Sequence, residues 1–182
     1  AIVLHTPYNM ASNKQYNVFV TVGTTSFEKF IQVFDTEEIL TQLKQLGVNK
    51  ITVQIGRGKD ITFRNTLSSL KKSMDLSYFD LKPSIDAYIQ EADLIIGHAG
   101  VGTIVETLRA NKPLLVIVNQ DLMDNHQQEV ASGLATKGYI NMAYPETLLE
   151  TLKSKDIFNV VKYPPVEYDA FPHLVDKEMM DL

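Results

Sequence analysis

Along most of the chain, short apolar runs of strand length alternate with segments whose apolar residues recur every three or four positions. Val18-Phe-Val-Thr-Val22 is β-branched and apolar and ends at Gly23-Thr-Thr25, which predicts a first strand and a turn. Helical periodicity follows from Phe27 to about Leu46 (Phe30, Ile31, Phe34, then Ile39, Leu40, Leu43), with a break near Asp35-Thr36 and Gly47 as a C-cap. Lys50 to Ile55 predicts a second strand, running into Gly56-Arg57-Gly58. A helix over 61–73 and a short strand near Leu76 to Phe79 come next. Pro83 and Ser84 open the following helix, with Ile85, Tyr88 and Ile89 on its inner face. The pattern continues with a strand at Asp93–Ile96, a helix from Thr103, a strand at Leu114–Val118 and a helix from Asp124. A final pair falls at Tyr139–Ala143 and Pro145–Leu152. Such alternation predicts an α/β, Rossmann-like fold: a largely parallel sheet with helices on both faces.

Polar clusters at strand ends carry the chemistry. The apolar run Ala92 to Gly97 ends in His98-Ala-Gly-Val-Gly-Thr103, and an amphipathic segment starts at once. Glycines let backbone approach a ligand, and the unpaired amides of a helix N-terminus favour an anion, phosphate above all. Asp121-Leu-Met-Asp-Asn-His-Gln-Gln128 follows the next apolar run. Two such clusters on successive strands point to one crevice at the carboxyl edge of the sheet.

Each cluster also has a plainer reading. Thr103-Ile-Val-Glu106 fits a capping box, or Glu106 accepts hydrogen bonds from a ribose diol. Asp124 and Gln127 are capping-like too, but Asn125, His126, Gln127 and Gln128 in a row suit recognition of sugar hydroxyls. His98 is either a satisfied histidine under the loop or a group near phosphate or sugar. Gly23, Thr24 and Thr25 form an ordinary turn or part of the crevice wall. Arg57 neutralises phosphate or is solvated, and Phe79 is core or the stacking edge for a base.

Composition narrows the choice. The chain has 182 residues, 45% of them hydrophobic, enough for one domain with a proper core. A net charge of −5 with scattered basic residues argues against nucleic acid as partner. There is no cysteine, hence no disulfide framework or thiolate metal site, which suits a reducing, cytoplasmic setting. No apolar run approaches the roughly 20 residues that span a bilayer. Met10 reads as a candidate natural start, which would make residues 1–9 an added leader. The organisation expected is a flexible leader at 1–16, a domain at 17–162 and a tail at 163–182. After Tyr163-Pro-Pro165, Phe171, Leu174, Val175 and Met179 recur at helical spacing, so the tail packs on its own domain or docks on a partner.

The sequence contains no G-x-x-x-x-G-K-[ST], no G-x-G-x-x-G and no G-x-S-x-G. An Asp-x-Asp diphosphate clamp is also missing, and the histidine spacing argues against zinc. A metal-free, cofactor-free diphosphate site built on backbone and helix terminus is therefore expected.

Gly23-Thr-Thr25, Ile55-Gly-Arg57, Asp93 to Thr103, Asn111-Lys-Pro113 and Leu122 to Gln128 together resemble a known family. It comprises the catalytic subunits of the eukaryotic two-subunit UDP-N-acetylglucosamine transferases of dolichol-linked oligosaccharide synthesis. More distantly, the pattern is similar to the donor-binding half of the bacterial lipid II-forming GlcNAc transferase. The likeness runs from Val18 to about Tyr144. It implies the C-terminal, donor-binding half of a GT-B architecture, whose two domains need roughly 300 residues by ordinary domain size. A membrane-anchored subunit carrying the acceptor half is then implied, with recruitment to the cytosolic face of the endoplasmic reticulum. The resemblance sets Gly100, Val101, Gly102 and Thr103 against the UDP diphosphate, Glu106 on the ribose and Phe79 beside the uracil. Gln127 and Gln128 would contact GlcNAc hydroxyls, supported by Asn125 and His126. The general base is expected on the partner, with His98 as the local candidate. A UDP-sugar-binding module without catalysis is the alternative; a sugar-nucleotide epimerase of the same fold would need both domains in one chain.

Overall fold

In the computed structural model the described residues are 14–58, 74–120 and 125–164, without the side chains of 125–127. The helix expected over 61–73, the leader's first thirteen residues, Asp124 and the tail beyond Pro164 lie outside them.

The strands are β1 (Tyr16–Thr21), β2 (Val48–Gln54), β3 (Asp75–Phe79), β4 (Leu94–His98), β5 (Leu114–Ile117) and β6 (Asn141–Ala143). They form one sheet in the order β3-β2-β1-β4-β5-β6, and every pairing is parallel. The chain works outward from β1 in one direction, then crosses back to β4 and works outward in the other. β1 and β4 are thus neighbours at the point where the order reverses, with Thr21 opposite Gly97.

The helices are α1 (Glu28–Phe34), α2 (Glu37–Gln45), α3 (Asp86–Glu91), α4 (Val101–Arg109), α5 (Asn125–Thr136) and α6 (Leu148–Ser154). Strand side chains alternate between faces, so each face builds its own core. Val18, Val20, Ile51, Val53, Ile96 and Ile117 pack with Phe30, Phe34, Leu40, Leu43 and Leu152 of α1, α2 and α6. On the other face Phe19, Ile95, Leu114 and Val116 meet Ile89, Ile104, Leu108 and Leu134 of α3, α4 and α5. Each fully buried Leu, Ile or Phe contributes about 1.5–3 kcal/mol relative to exposure.

The break at Asp35-Thr36 and the cap at Gly47 (φ 90°) are as expected. Several boundaries differ. Asp93 stays outside β4, because its backbone N–H donates to the Asn17 carbonyl (2.8 Å) and its Oδ2 accepts from the Asn17 N–H (2.9 Å). Pro83 and Ser84 precede α3 rather than open it; the Ser84 hydroxyl instead accepts the Asp86 N–H at 3.1 Å. The strand expected from Tyr139 starts only at Asn141, since Tyr139 N–H still bonds back to the Leu134 carbonyl at the end of α5.

Candidate functional site

The loops that leave the carboxyl ends of β1, β2, β3 and β4 form one crest. Val22 N–H donates to the Gln54 carbonyl (3.3 Å), Arg57 N–H to Thr25 (2.9 Å) and Gly56 N–H to Asp80 (3.1 Å). Gly56 lies so close to the first loop that a Cβ there would stand 2.1 Å from the Thr25 carbonyl oxygen. Thr24, Thr25 and Arg57 are exposed on this crest.

Beneath it lies a buried polar pair that sequence reasoning missed. The Thr21 hydroxyl donates to Gln54 Oε1 (2.5 Å) and accepts from Gly23 N–H (2.9 Å), fixing the start of the loop. Both residues are buried at the carboxyl ends of β1 and β2, and a polar residue closing each strand was the available signal.

α4 begins two residues earlier than expected, with Gly100 as its cap and Ile104 N–H closing the first turn on the Gly100 carbonyl (3.1 Å). The capping box at Thr103 and Glu106 does not form, and no side chain caps this helix. Thr103 is buried within the first turn instead, its methyl 3.2 Å from where a Cβ on Gly97 would stand. Helix geometry leaves the N–H groups of Val101, Gly102 and Thr103 with no acceptor inside the helix. A Cβ on Gly102 would meet no heavy atom of the described residues within 4 Å, so nothing in their packing explains a glycine there. Gly102 and Glu106 are one turn apart on the exposed face of α4. Burial pushes the Glu106 carboxyl above its usual range, the charge of Asp86 adds to this, and Arg109 opposes it.

His98 ends β4 directly below. Burial holds its imidazole below the ordinary histidine value, and the Thr21 backbone offsets part of that shift. Nδ1 is buried with no partner in good hydrogen-bond geometry.

Phe79 is half-buried in an aromatic column, its ring centre 6.4 Å from Phe19 and 4.9 Å from Tyr88. Lys82 caps both outer rings, 4.7 Å from Phe79 and 4.8 Å from Tyr88, and its ammonium donates to the Tyr88 hydroxyl. At the far side Gln128 Nε2 donates to the hydroxyl of Tyr144, just past β6 (3.3 Å). That tether brings the glutamine to the same carboxyl edge; Asn125, His126 and Gln127 belong to the same first turn of α5. Asn111-Lys112-Pro113 lies at the opposite edge. There Lys112 Nζ donates to the carbonyls of Gln90 (2.6 Å) and Ala92 (2.9 Å), and Asn111 takes a left-handed conformation (φ 52°).

A doubly wound parallel sheet with a glycine-containing helix N-terminus at its reversal point defines a Rossmann-like domain. Residues 17–159 match the glycosyltransferase family 28 C-terminal domain, and the chain belongs to that family.

Its relatives agree in kind. The human protein named UDP-N-acetylglucosamine transferase subunit ALG13 is 42% identical over 123 residues, covering 68% of this chain and 10% of the human one. The Saccharomyces cerevisiae protein of the same name is 28% identical over 188 residues, covering 87% and 93%. The chain thus spans a tenth of the human relative but nearly all of the yeast one. Among solved structures, that of ALG13 by NMR superposes with a TM-score of 0.69 at 26% identity, covering 89% of this chain and 96% of that one. MurG from Acinetobacter baumannii shares the fold, with a TM-score of 0.66 at 22% identity over 94% of this chain and 51% of that protein. No helix among the described residues is long and apolar enough to cross a membrane.

Proposed function

We propose that the chain is the donor-binding subunit of a UDP-GlcNAc-dependent glycosyltransferase. It transfers GlcNAc to dolichyl-diphosphate-GlcNAc, the second step of lipid-linked oligosaccharide assembly. The observation that carries this reading is the first turn of α4: three amides without helical acceptors, at a glycine whose outer side is open. Such a turn offers directed donors and the positive end of the helix dipole to a diphosphate, with no metal required. Relatives named as transferase subunits support the donor sugar and the need for a second chain.

The residues divide the donor between them. Gly100 to Thr103 hold the diphosphate, flanked by Gly23, Thr24 and Thr25, with Arg57 as a further positive charge. Glu106, one turn along the same face, accepts from the ribose hydroxyls, and the Phe79 edge borders uracil. Gln127 and Gln128 read the GlcNAc hydroxyls, with Asn125 and His126 beside them.

The acceptor's 4-hydroxyl oxygen attacks the anomeric carbon from the side opposite UDP, so the configuration inverts. The carbon–oxygen bond to the diphosphate breaks, and UDP leaves with the electron pair. The hydroxyl proton passes to a base on the partner half. The negative charge that grows on UDP is met by the amides of α4, which strengthens the contact in the transition state. The partner is membrane-anchored and holds this subunit at the cytosolic face of the endoplasmic reticulum.

Amide NMR titration of the chain with UDP and UDP-GlcNAc tests the donor site. Shifts are expected across Gly100–Glu106 with both ligands, and at the glutamines with the sugar alone. Absence of shifts at millimolar ligand, with and without the acceptor subunit, overturns the reading. Donor binding without turnover in the assembled pair would favour a sensing module.

A further inference from the structure

The floor of the crevice at the reversal point is a single side chain. After β1 the chain turns to α1 on one face of the sheet, and after β4 it turns to α4 on the other. Such a divergence leaves a gap between the two loops. His98 fills it. A Cβ on Gly23 would stand 2.4 Å from His98 Cε1 and 3.0 Å from Nε2, and one on Gly100 2.2 Å from Nε2 and 2.6 Å from Cε1. One ring edge therefore touches both glycines at distances no other residue tolerates.

The two glycines differ in why they are needed. Gly23 has φ 65°, so its backbone also favours glycine. Gly100 has φ −72° and ψ 128°, a conformation open to any residue, so only the ring demands it. Stability alone does not explain a histidine here. Its buried Nδ1 has the Thr21 backbone beside it but no hydrogen bond of good geometry, a desolvation cost that an apolar side chain of similar volume would avoid.

We propose that His98 is a positioning residue: its imidazole is the spacer that sets the distance between the loop after β1 and the first turn of α4, so that both loops address one diphosphate. This rests on the donor-site reading above. The ring is a rigid plate, whereas an aliphatic chain in the same gap could change rotamer and let the loops drift. Because burial disfavours its charged form, the ring contributes spacing at neutral pH rather than a fixed charge.

The test compares the whole chain with His98→Ala, Gly100→Ala and the double variant, measuring stability in urea and the affinities for UDP and for UMP. UMP lacks the second phosphate and serves as the internal control. Folded His98→Ala is expected to bind UDP about tenfold more weakly while UMP affinity stays within about twofold, since misplacement by an ångström costs this much or more. Should the alanine variant not fold, His98→Asn carries the same comparison. Gly100→Ala should weaken UDP binding similarly when the ring is present. In the His98→Ala background it should add little, because its methyl enters vacated space. An unchanged UDP-to-UMP ratio in a folded His98 variant overturns the proposal, as does Gly100→Ala being equally damaging with and without the ring. If the wild-type chain binds UDP no better than UMP, the donor-site reading fails. The spacer would then be judged on the stability coupling alone, where additivity sinks it.

Discussion

The two ends of the sheet are made from the same strands but finished differently. At the amino end side chains close much of the exposed backbone. Asp93 takes the Asn17 amide, and Lys112 closes the carbonyls of Gln90 and Ala92. At the carboxyl end groups stay open: α4 has no side-chain cap, and a Cβ on Gly102 would meet no described heavy atom within 4 Å. The absence of a side-chain cap is shared with α1, α2, α3 and α6, and Asn49 and Asn141 also keep a buried polar atom without a partner near the amino end. What sets the α4 turn apart is the glycine with an open outer side at its second position.

Substitutions at the two ends should separate binding from stability. Gly102→Asp puts a carboxylate beside the open amides, where its charge and bulk oppose a diphosphate. UDP affinity should fall by about 100-fold or more, roughly 2.7 kcal/mol, with little change in thermal stability, since an added Cβ meets no heavy atom of the described residues within 4 Å. A folded variant with wild-type UDP affinity by calorimetry would contradict the assignment. Lys112→Ala is its mirror image. Losing two charged hydrogen bonds should cost about 2 kcal/mol in urea unfolding, with UDP affinity of the folded chain unchanged.

Acid should expose the same asymmetry. His98 has a lower proton affinity folded than unfolded, so its neutral form is at home in the fold at pH 7 and above. As pH falls through about 6.5, the ordinary histidine value, the unfolded chain takes up the proton first and stability drops. Between pH 7.5 and 5.5 the wild type should lose more stability than His98→Asn, read from paired urea melts. Equal losses would mean that another group dominates the acid transition. The smallest effect belongs to Tyr144→Phe, which frees Gln128. The preference for UDP-GlcNAc over UDP should decline a few-fold, in keeping with one neutral hydrogen bond.

The central strands were legible because β1, β4 and β5 are largely apolar runs of the right length, and all six strands occur where the pattern points. The periods of two and of three to four residues also separated strands from helices. Caps were harder. Thr103 and Glu106 have the spacing of a capping box, yet Gly100 starts the helix because the Thr103 methyl is taken up in packing over Gly97. Ser84 likewise bonds forward to Asp86 from outside the helix. Side-chain pairs between distant segments left only faint traces. Thr21 and Gln54 meet across 33 residues, and Gln128 reaches Tyr144 across 16. Asn111-Lys112-Pro113 shows the reverse error to guard against, a conspicuous motif at the end of the domain away from the crevice.

The loops after β1, β2 and β3 are stitched by main-chain bonds, Thr25 to Arg57 and Gly56 to Asp80, with Gly56 leaving no slack between them. The segments proposed to flank the diphosphate and the base are consequently one mechanical part. Retooling the domain for a different nucleotide by grafting the β3 loop alone would shear that part, so the three loops would have to be exchanged as a cassette.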